Sequence, residues 1–387
     1  MKKLIGSAAL VVCGIAFAIL AFEVVLRVIG FSAPIWHQPD ARLGWALRPG
    51  TAAQYTAEGN AFVRINAAGQ RDVEHALDKP DGVYRIAVIG DSYSEAMQVE
   101  RDKAFWSLLP ARLAACGFAK GRSIEALNFG VAGYGTAQEY IVLQTDAIRY
   151  RPDLVLLQFT TGNDVRNNSF ALEPEKDQPF YHLAADGRLH IDTSFAAEPK
   201  FRGRMSFLSE AVRKLTDKSR VFQLIRLVRE SSFIRPAQAG GVEQGLEASV
   251  LAPPRERLWD EAWRVTEGLI SMSADFATRN GAKFALVSVP YAIQALPDQK
   301  QREQLQAKLG VPDLLYPDRR LAALADKDGF EAVTLAEPML RSAQEKDAPL
   351  YGFANTQLGF GHWNETGHRV AAELIAQRLC SSRRLSE

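Results

Sequence analysis

The triplet Gly90-Asp91-Ser92 closes the apolar run Ile86-Ala87-Val88-Ile89. A serine placed where a buried strand stops and a helix starts is held by rigid backbone with its hydroxyl exposed. That hydroxyl is a nucleophile when a base lies within hydrogen-bond reach. Three other stretches carry residues of matching chemistry: Asn128-Phe129-Gly130-Val131-Ala132-Gly133, then Thr160-Thr161-Gly162-Asn163-Asp164, then Gly361-His362-Trp363-Asn364. Ester cleavage passes through a tetrahedral oxyanion, and each fixed donor aimed at it is worth about 3–4 kcal/mol. Glycine lets backbone approach a ligand with no Cβ in the way. An asparagine amide donates without carrying charge. Imidazole takes a serine proton near neutral pH and returns it to a leaving group.

Elements that deliver these groups to one edge are legible in the pattern. Tyr84 to Ile89, Ile124 to Phe129 and Leu154 to Phe159 read as buried strands. Phe105 to Ala115 and Ala137 to Tyr150 read as helices between them, the second with Tyr140, Leu143, Ala147 and Tyr150 on one side. Strand, helix, strand, helix, strand predicts a parallel sheet with right-handed crossovers. Ligands of such sheets bind beyond the carboxyl ends of the strands, where the first three blocks fall. The alternation breaks from Asn167 to about Pro254, a polar stretch containing a basic helical pattern from Met205 to Arg235 and a Gly/Ala patch from Ala237 to Gly245. It resumes with a long helix over Leu258 to Arg279, a strand over Phe284 to Val289 and helices around Lys300 to Lys308 and Asp318 to Lys327. A fifth strand over Glu331 to Leu335 and a last helix from about Thr366 to Cys380 complete the pattern.

Taken in order and spacing, the four blocks resemble the SGNH (GDSL-type) hydrolase superfamily, over roughly Tyr84 to Asn168 and Leu258 to Cys380. The resemblance implies a three-layer α/β/α, flavodoxin-like fold with a five-stranded parallel sheet in the order 2-1-3-4-5. It implies Ser92 as nucleophile and His362 as base. It implies an oxyanion hole made of the Ser92 N–H, the Gly133 N–H and the Asn163 side-chain amide. It implies no metal or organic cofactor.

One position departs from the superfamily. The residue three before the histidine is usually aspartate, and here it is Gly359. Loss of that charge costs about 10⁴ in turnover in a well-studied triad. A working Ser–His pair therefore needs another orienter: a backbone carbonyl of the Leu358 to Gly361 loop, or an acid such as Glu365 or Asp347.

The N-terminus sets the compartment. Lys2 and Lys3 precede an uncharged, mostly apolar run from Leu4 to Phe22, about long enough to cross a bilayer. Charge asymmetry places the bulk of the chain outside the cytoplasm. Glu23 and Arg27, one turn apart, are expected to pair at the interface. Ala16-Phe17-Ala18 resembles a signal cleavage site, but the apolar run continues past it, which suits an uncleaved anchor. In an oxidising periplasm Cys116 and Cys380 either pair or remain free thiols.

The chain of 387 residues thus divides into an anchor at 1–31, a linker with short strands at 32–80, the two parts of a hydrolase domain at 81–168 and 255–387, and an insertion or cap at 169–254. Short strands or a hairpin are expected at Leu43-Gly44-Trp45 and Phe62 to Asn66, with Gly59 among the turn residues. A net charge of +1 and the lack of a long basic tract argue against a nucleic-acid partner. The three cysteines show no zinc spacing, and His362 and His368 lack the i, i+4 spacing of a helical metal pair. His368 is expected to pack inside, and His37, His75, His182 and His190 to lie at the surface.

The basic residues Arg213, Lys214, Lys218, Arg220, Arg226 and Arg229 suit a solvated helix face, anionic lipid or an acidic polysaccharide. The reading favoured is an anchored, extracytoplasmic serine esterase that hydrolyses or transfers an O-acyl group, O-acetyl foremost, on a cell-envelope or exported glycan. A membrane-proximal lipid esterase or thioesterase and an inactive SGNH-like binding protein are the alternatives. The expected partners are the acylated carbohydrate or lipid substrate and, through the N-terminal helix, the membrane.

Overall fold

The computed structural model describes residues 2–231 and 248–385. The Gly/Ala patch and the last four residues of the basic stretch lie outside the described residues.

Helix Lys2–Val28 opens the chain, and its segment Leu10–Val28 has the length and apolarity to cross a membrane, with a mean hydropathy of 2.4 and 6% of it buried. Strands β1 (His37–Asp40), β2 (Gly44–Leu47), β3 (Ala52–Tyr55) and β4 (Ala61–Arg64) follow as antiparallel pairs β1–β2 and β3–β4. The expected strands near Leu43 and Phe62 thus each find a partner that alternation alone does not reveal. This stretch packs on the main domain, because Leu43, Leu47, Val63 and Ile65 join the same buried cluster as Ile89 and Phe159.

The central sheet contains β5 (Val83–Ile89), β6 (Ser123–Asn128), β7 (Leu154–Thr160), β10 (Lys283–Val289) and β11 (Glu331–Thr334). The hairpin β8 (Phe180–Leu183) with β9 (Leu189–Asp192) lies in the insertion. The sheet runs β6-β5-β7-β10-β11 with every pairing parallel, the 2-1-3-4-5 order. Successive residues of β5 face opposite layers, as a strand buried on both sides requires. Ile86 and Val88 pack with Trp106, Leu109 and Ile375, whereas Ala87 and Ile89 pack with Trp263 and Ile270. This is the expected three-layer α/β/α arrangement.

Several local expectations need correcting. The helix expected over 137–150 is a helix at Thr136–Thr145 and a 3-10 turn at Ala147–Tyr150, because Thr145 turns its hydroxyl back onto the Ile141 carbonyl and Asp146 ends the regular ladder. The basic stretch is broken at Ser219 into helices Phe207–Lys218 and Arg220–Ser231. Helix Ala336–Lys346 follows β11 directly, where no element was expected. His37 is not a free surface residue, since its Nε2 lies 3.0 Å from Glu95 Oε1. The His75 side chain is tucked between Asp72 and Glu125, at 3.1 and 3.7 Å.

Cys116, just past helix Phe105–Ala115, is disulfide-bonded to Cys380 on helix Glu365–Ser381, with 6.3 Å between their Cα atoms. Glu23 and Arg27 pair as expected, Arg27 Nε donating to Glu23 Oε1 at 2.8 Å.

Candidate active site

Ser92 begins the short helix Ser92–Glu95 at the carboxyl end of β5. The turn that presents it is over-determined. Asp91, wholly buried, caps the helix by accepting from the Tyr93 N–H at 3.0 Å. The Ser94 carbonyl accepts from Trp106 Nε1 at 2.8 Å and from Asn128 Nδ2 at 2.9 Å. Gln158 on β7 accepts from both the Asp91 N–H and the Ser94 hydroxyl. These five hydrogen bonds, drawing on two neighbouring strands and a helix, leave the Ser92 side chain little freedom of position.

His362 approaches from the loop before helix Glu365–Ser381. Its Nε2 lies 2.9 Å from Ser92 Oγ, a direct hydrogen bond across 270 positions of sequence. The loop is fixed from beneath. Trp363 is fully buried against Tyr93, Phe105 and Tyr351. The Tyr93 hydroxyl donates to the Gly361 carbonyl at 3.2 Å. The imidazole Nδ1 finds its partner elsewhere, so no carbonyl of this loop orients it.

The orienter is Glu58. Its Oε2 lies 2.5 Å from His362 Nδ1, and its Oε1 accepts from the His362 backbone N–H at 2.8 Å. Neither Glu365 nor Asp347 takes this place: Glu365 opens the last helix and Asp347 caps the end of Ala336–Lys346. Burial works against charge on Glu58, but hydrogen bonds and the charge of His362, with a further bond from Gln98, outweigh it and hold the carboxyl below its ordinary value.

Glu58 sits in the turn between β3 and β4, and that turn is itself clamped. Asn355 Oδ1 accepts from the Gly59 N–H, and its Nδ2 donates to the Thr56 and Gly59 carbonyls, all at 3.0 Å. Gly59 has φ +74°, and a Cβ there would stand 2.2 Å from the Gln98 carbonyl oxygen. Only glycine meets both demands.

The three expected oxyanion donors surround the same strand ends. Gly133 follows β6 with φ +80°, and its carbonyl accepts from Asn167 Nδ2 at 3.2 Å. The Trp45 indole covers this glycine, 3.2 Å from where a Cβ would stand, and is held by its Nε1 donating to the Ala132 carbonyl at 2.9 Å. Among the described residues the backbone N–H groups of Ser92 and Gly133 have no acceptor. Asn163 Nδ2 donates to Asp91 Oδ2 at 3.1 Å. Only an amide N–H can face a carboxylate, so this bond fixes which way the Asn163 amide points. Asp91 thus serves both the helix that bears Ser92 and the amide beyond it.

Two more carboxyls lie under the site. Burial first, and then the charge of Asp91, pushes the Asp164 carboxyl well above its ordinary range. Glu139 is driven the same way by burial, then by Asp164 and Asp91. A shift in this direction lessens the negative charge beneath a developing oxyanion.

His368 is buried, stacked on Phe105, and its Nδ1 accepts from the Phe105 N–H at 3.3 Å. It is the packing residue expected. Among the described residues no group of His, Cys, Asp and Glu is arranged to hold a metal ion.

No family model matches the chain, and no curated protein matches it in sequence. Among solved structures it is similar to an acetylxylan esterase from Geobacillus stearothermophilus, at 12% identity over 79% of this chain and 97% of that one, with a TM-score of 0.37. A GDSL-like lipase from Bacteroides thetaiotaomicron is similar at 14% identity over 79% and 91%, with a TM-score of 0.34. TesA is similar at 15% identity over 76% and 97%, with a TM-score of 0.36.

Proposed function

We propose that this chain is a membrane-anchored serine esterase of the SGNH type that removes or transfers an O-acyl group through an acyl-serine intermediate. The observation that carries the reading is the chain of contacts from Glu58 to His362 to Ser92, at 2.5 and 2.9 Å. Glu58 accepts from Nδ1–H and so leaves Nε2 as the acceptor that faces the serine. His362 takes the Ser92 proton as Oγ attacks the ester carbonyl. The oxyanion is met by the Ser92 and Gly133 N–H groups and the Asn163 amide. His362 then protonates the departing alkoxide. Water, or a second hydroxyl, resolves the acyl-serine by the same route in reverse.

An inactive binding protein would follow from a missing acid, and Glu58 removes that ground. The half-buried Trp45 indole beside Gly133 offers a flat wall, which suits a sugar ring bearing a small acyl group better than a long flexible acyl chain. The Cys116–Cys380 bond supports an oxidising compartment, and the N-terminal helix supports a single span with the catalytic domain on the periplasmic side of the inner membrane. The substrate class we assign is therefore an O-acetylated envelope or exported glycan.

Fluorophosphonate labelling of the purified full chain tests the chemistry. Wild type should label, and Ser92→Ala and His362→Ala should not. No labelling of folded wild type, or labelling that persists in Ser92→Ala, overturns the mechanism. Acetate release from O-acetylated polysaccharide, set against a p-nitrophenyl ester series of rising chain length, tests the substrate. A preference for long chains would move the assignment to lipid esters. A reporter fused after Cys380 should be active outside the cytoplasm.

A further inference from the structure

Two of the helices that follow the β8–β9 hairpin in the insertion carry apolar side chains that the described protein leaves uncovered. On Phe207–Lys218 these are Leu208, Val212 and Leu215, spaced i, i+4, i+7 along one stripe, with Phe207 beside them. Phe207 and Leu208 are 88% and 73% exposed. On Arg220–Ser231 they include Phe222 and Ile225, three positions apart. Lys214, Lys218 and Arg229 are interleaved with these stripes, the composition of a helix that lies in a membrane interface.

What covers them follows from where the helices are fastened. Their junction at Ser219 is bonded to the last turns of the apolar N-terminal helix. Glu23 accepts from the Arg220 N–H at 2.9 Å, the Val221 N–H at 3.0 Å and the Ser219 hydroxyl at 3.0 Å. Arg27 Nη2 donates to the Lys218 carbonyl at 2.6 Å. Glu23 therefore serves as the N-terminal cap of one helix while Arg27 satisfies the last turn of the other. If Leu10–Val28 spans a bilayer, its charged end lies at the headgroups, and so does everything bonded to it.

We infer that helices Phe207–Lys218 and Arg220–Ser231 form a platform that lies on the bilayer surface, with Leu208, Val212, Leu215, Phe222 and Ile225 dipped into the acyl–headgroup boundary. The inference rests on the anchored reading of the N-terminal helix. The platform also grips the segment that leads to the active site. Gln223 Oε1 accepts from the Ala33 N–H at 2.8 Å, Asp217 Oδ1 accepts from the Ile35 N–H at 3.1 Å, and Asp217 pairs with Arg48. Residues 33–48 continue into the β3–β4 turn that bears Glu58. The platform thus holds the catalytic domain at a set height and tilt above the lipid.

The test uses the full chain with Cys13→Ser, reconstituted in vesicles of phosphatidylethanolamine and phosphatidylglycerol. Leu208→Cys, Phe222→Cys and, on the polar side, Lys214→Cys are labelled singly with an environment-sensitive fluorophore. All three positions are exposed, so the fold is retained, and fluorophosphonate labelling of Ser92 at the rate of the Cys13→Ser parent verifies it. The expected result is blue-shifted emission at 208 and 222, quenched at least twofold more by a lipid-tethered quencher than emission at 214. Equal water accessibility at all three positions overturns the platform. Shielding at 208 and 222 without lipid quenching also overturns it, and assigns the face to a protein contact. Alkaline extraction is the separate check on the anchor: release of the intact chain from membranes removes the span whatever the fluorophores report.

Discussion

Glu58 holds His362 at two points, with one carboxylate oxygen on the ring Nδ1 at 2.5 Å and the other on the backbone N–H of the same residue at 2.8 Å. The two residues are 304 positions apart. The contact therefore fixes the imidazole's tautomer, its ring plane and the loop that carries it, all from one side chain of the N-terminal hairpin. Glu58→Gln cannot reproduce this, because both partners are donors and a glutamine has only one acceptor oxygen. Its NH2 group would face either the backbone N–H or Nδ1, and in the second case it would favour the tautomer that leaves Nε2 protonated. Turnover of p-nitrophenyl acetate should fall about 10²- to 10⁴-fold with KM little changed. A loss under threefold would mean that the acid is dispensable.

The hairpin clamp should matter for the same reason, one step removed. Asn355→Ala deletes three hydrogen bonds to the turn that carries Glu58. Gly59→Ala introduces a Cβ against the Gln98 carbonyl at 2.2 Å as well as a strained φ. Turnover should drop modestly in the first variant, on the order of tenfold, and further in the second. Steady-state kinetics and labelling rates check the ranking, and an inverted order would show that the turn adapts.

Asn163 should report on the oxyanion rather than on proton transfer. Asn163→Ala removes an amide that Asp91 holds in a fixed direction. The expected cost is about 10²–10³ in kcat, with the phosphonate adduct destabilised in parallel. An unchanged kcat would leave the backbone N–H groups of Ser92 and Gly133 as the whole hole.

These contacts separate what sequence can reveal from what it cannot. The strand-end blocks around Ser92, Gly133 and Asn163 are local: each is a turn whose composition advertises its geometry, and that the strands run parallel follows from alternation, whereas their order rests on the resemblance. His362 is legible only because the last loop of such a sheet returns to the same edge. Glu58 is not legible, because nothing within its own hairpin distinguishes it from a solvated acid beside a turn glycine. The one available signal was negative, the glycine at 359, and it points to a need without an address. His37 and Glu95, or His75 between Asp72 and Glu125, were missed for the same reason. Pairs between distant segments leave no spacing to read.

His368 gives the fold an acid-side weakness. Burial first, then the charges of Arg71 and His362, lower its pKa from 6.5 to about 3. The unfolded chain binds a proton there below about pH 6.5 and the folded chain does not, so stability rises with pH across that window. The slope is on the order of 1.4 kcal/mol per pH unit at most, lost progressively as pH falls from about 6.5 toward 3. His368→Gln keeps an acceptor for the Phe105 N–H and cannot titrate. Its melting temperature should fall less steeply than that of wild type between pH 7 and 4. Parallel curves would mean that the buried imidazole finds a way to protonate in place.

Glu139 gives the opposite dependence on the alkaline side. Its side chain is fully buried on helix Thr136–Thr145, and neither carboxyl oxygen has a hydrogen-bond partner among the described residues. Burial, then the charges of Asp164 and Asp91, raises its pKa well above the ordinary 4.5. The folded chain therefore keeps a proton that the unfolded chain releases above about pH 4.5. The sign is fixed by that difference: stability falls as pH rises from the unfolded value toward the folded one. Glu139→Gln preserves the shape of the neutral acid and abolishes the release. It should melt with wild type near pH 4 and above wild type at pH 8, with turnover retained because burial already disfavours charge on the acid beneath the site. Denaturant unfolding at the two pH values measures the difference directly. A variant less stable than wild type at pH 8 would show instead that Glu139 is ionised in the fold and held by a charge partner.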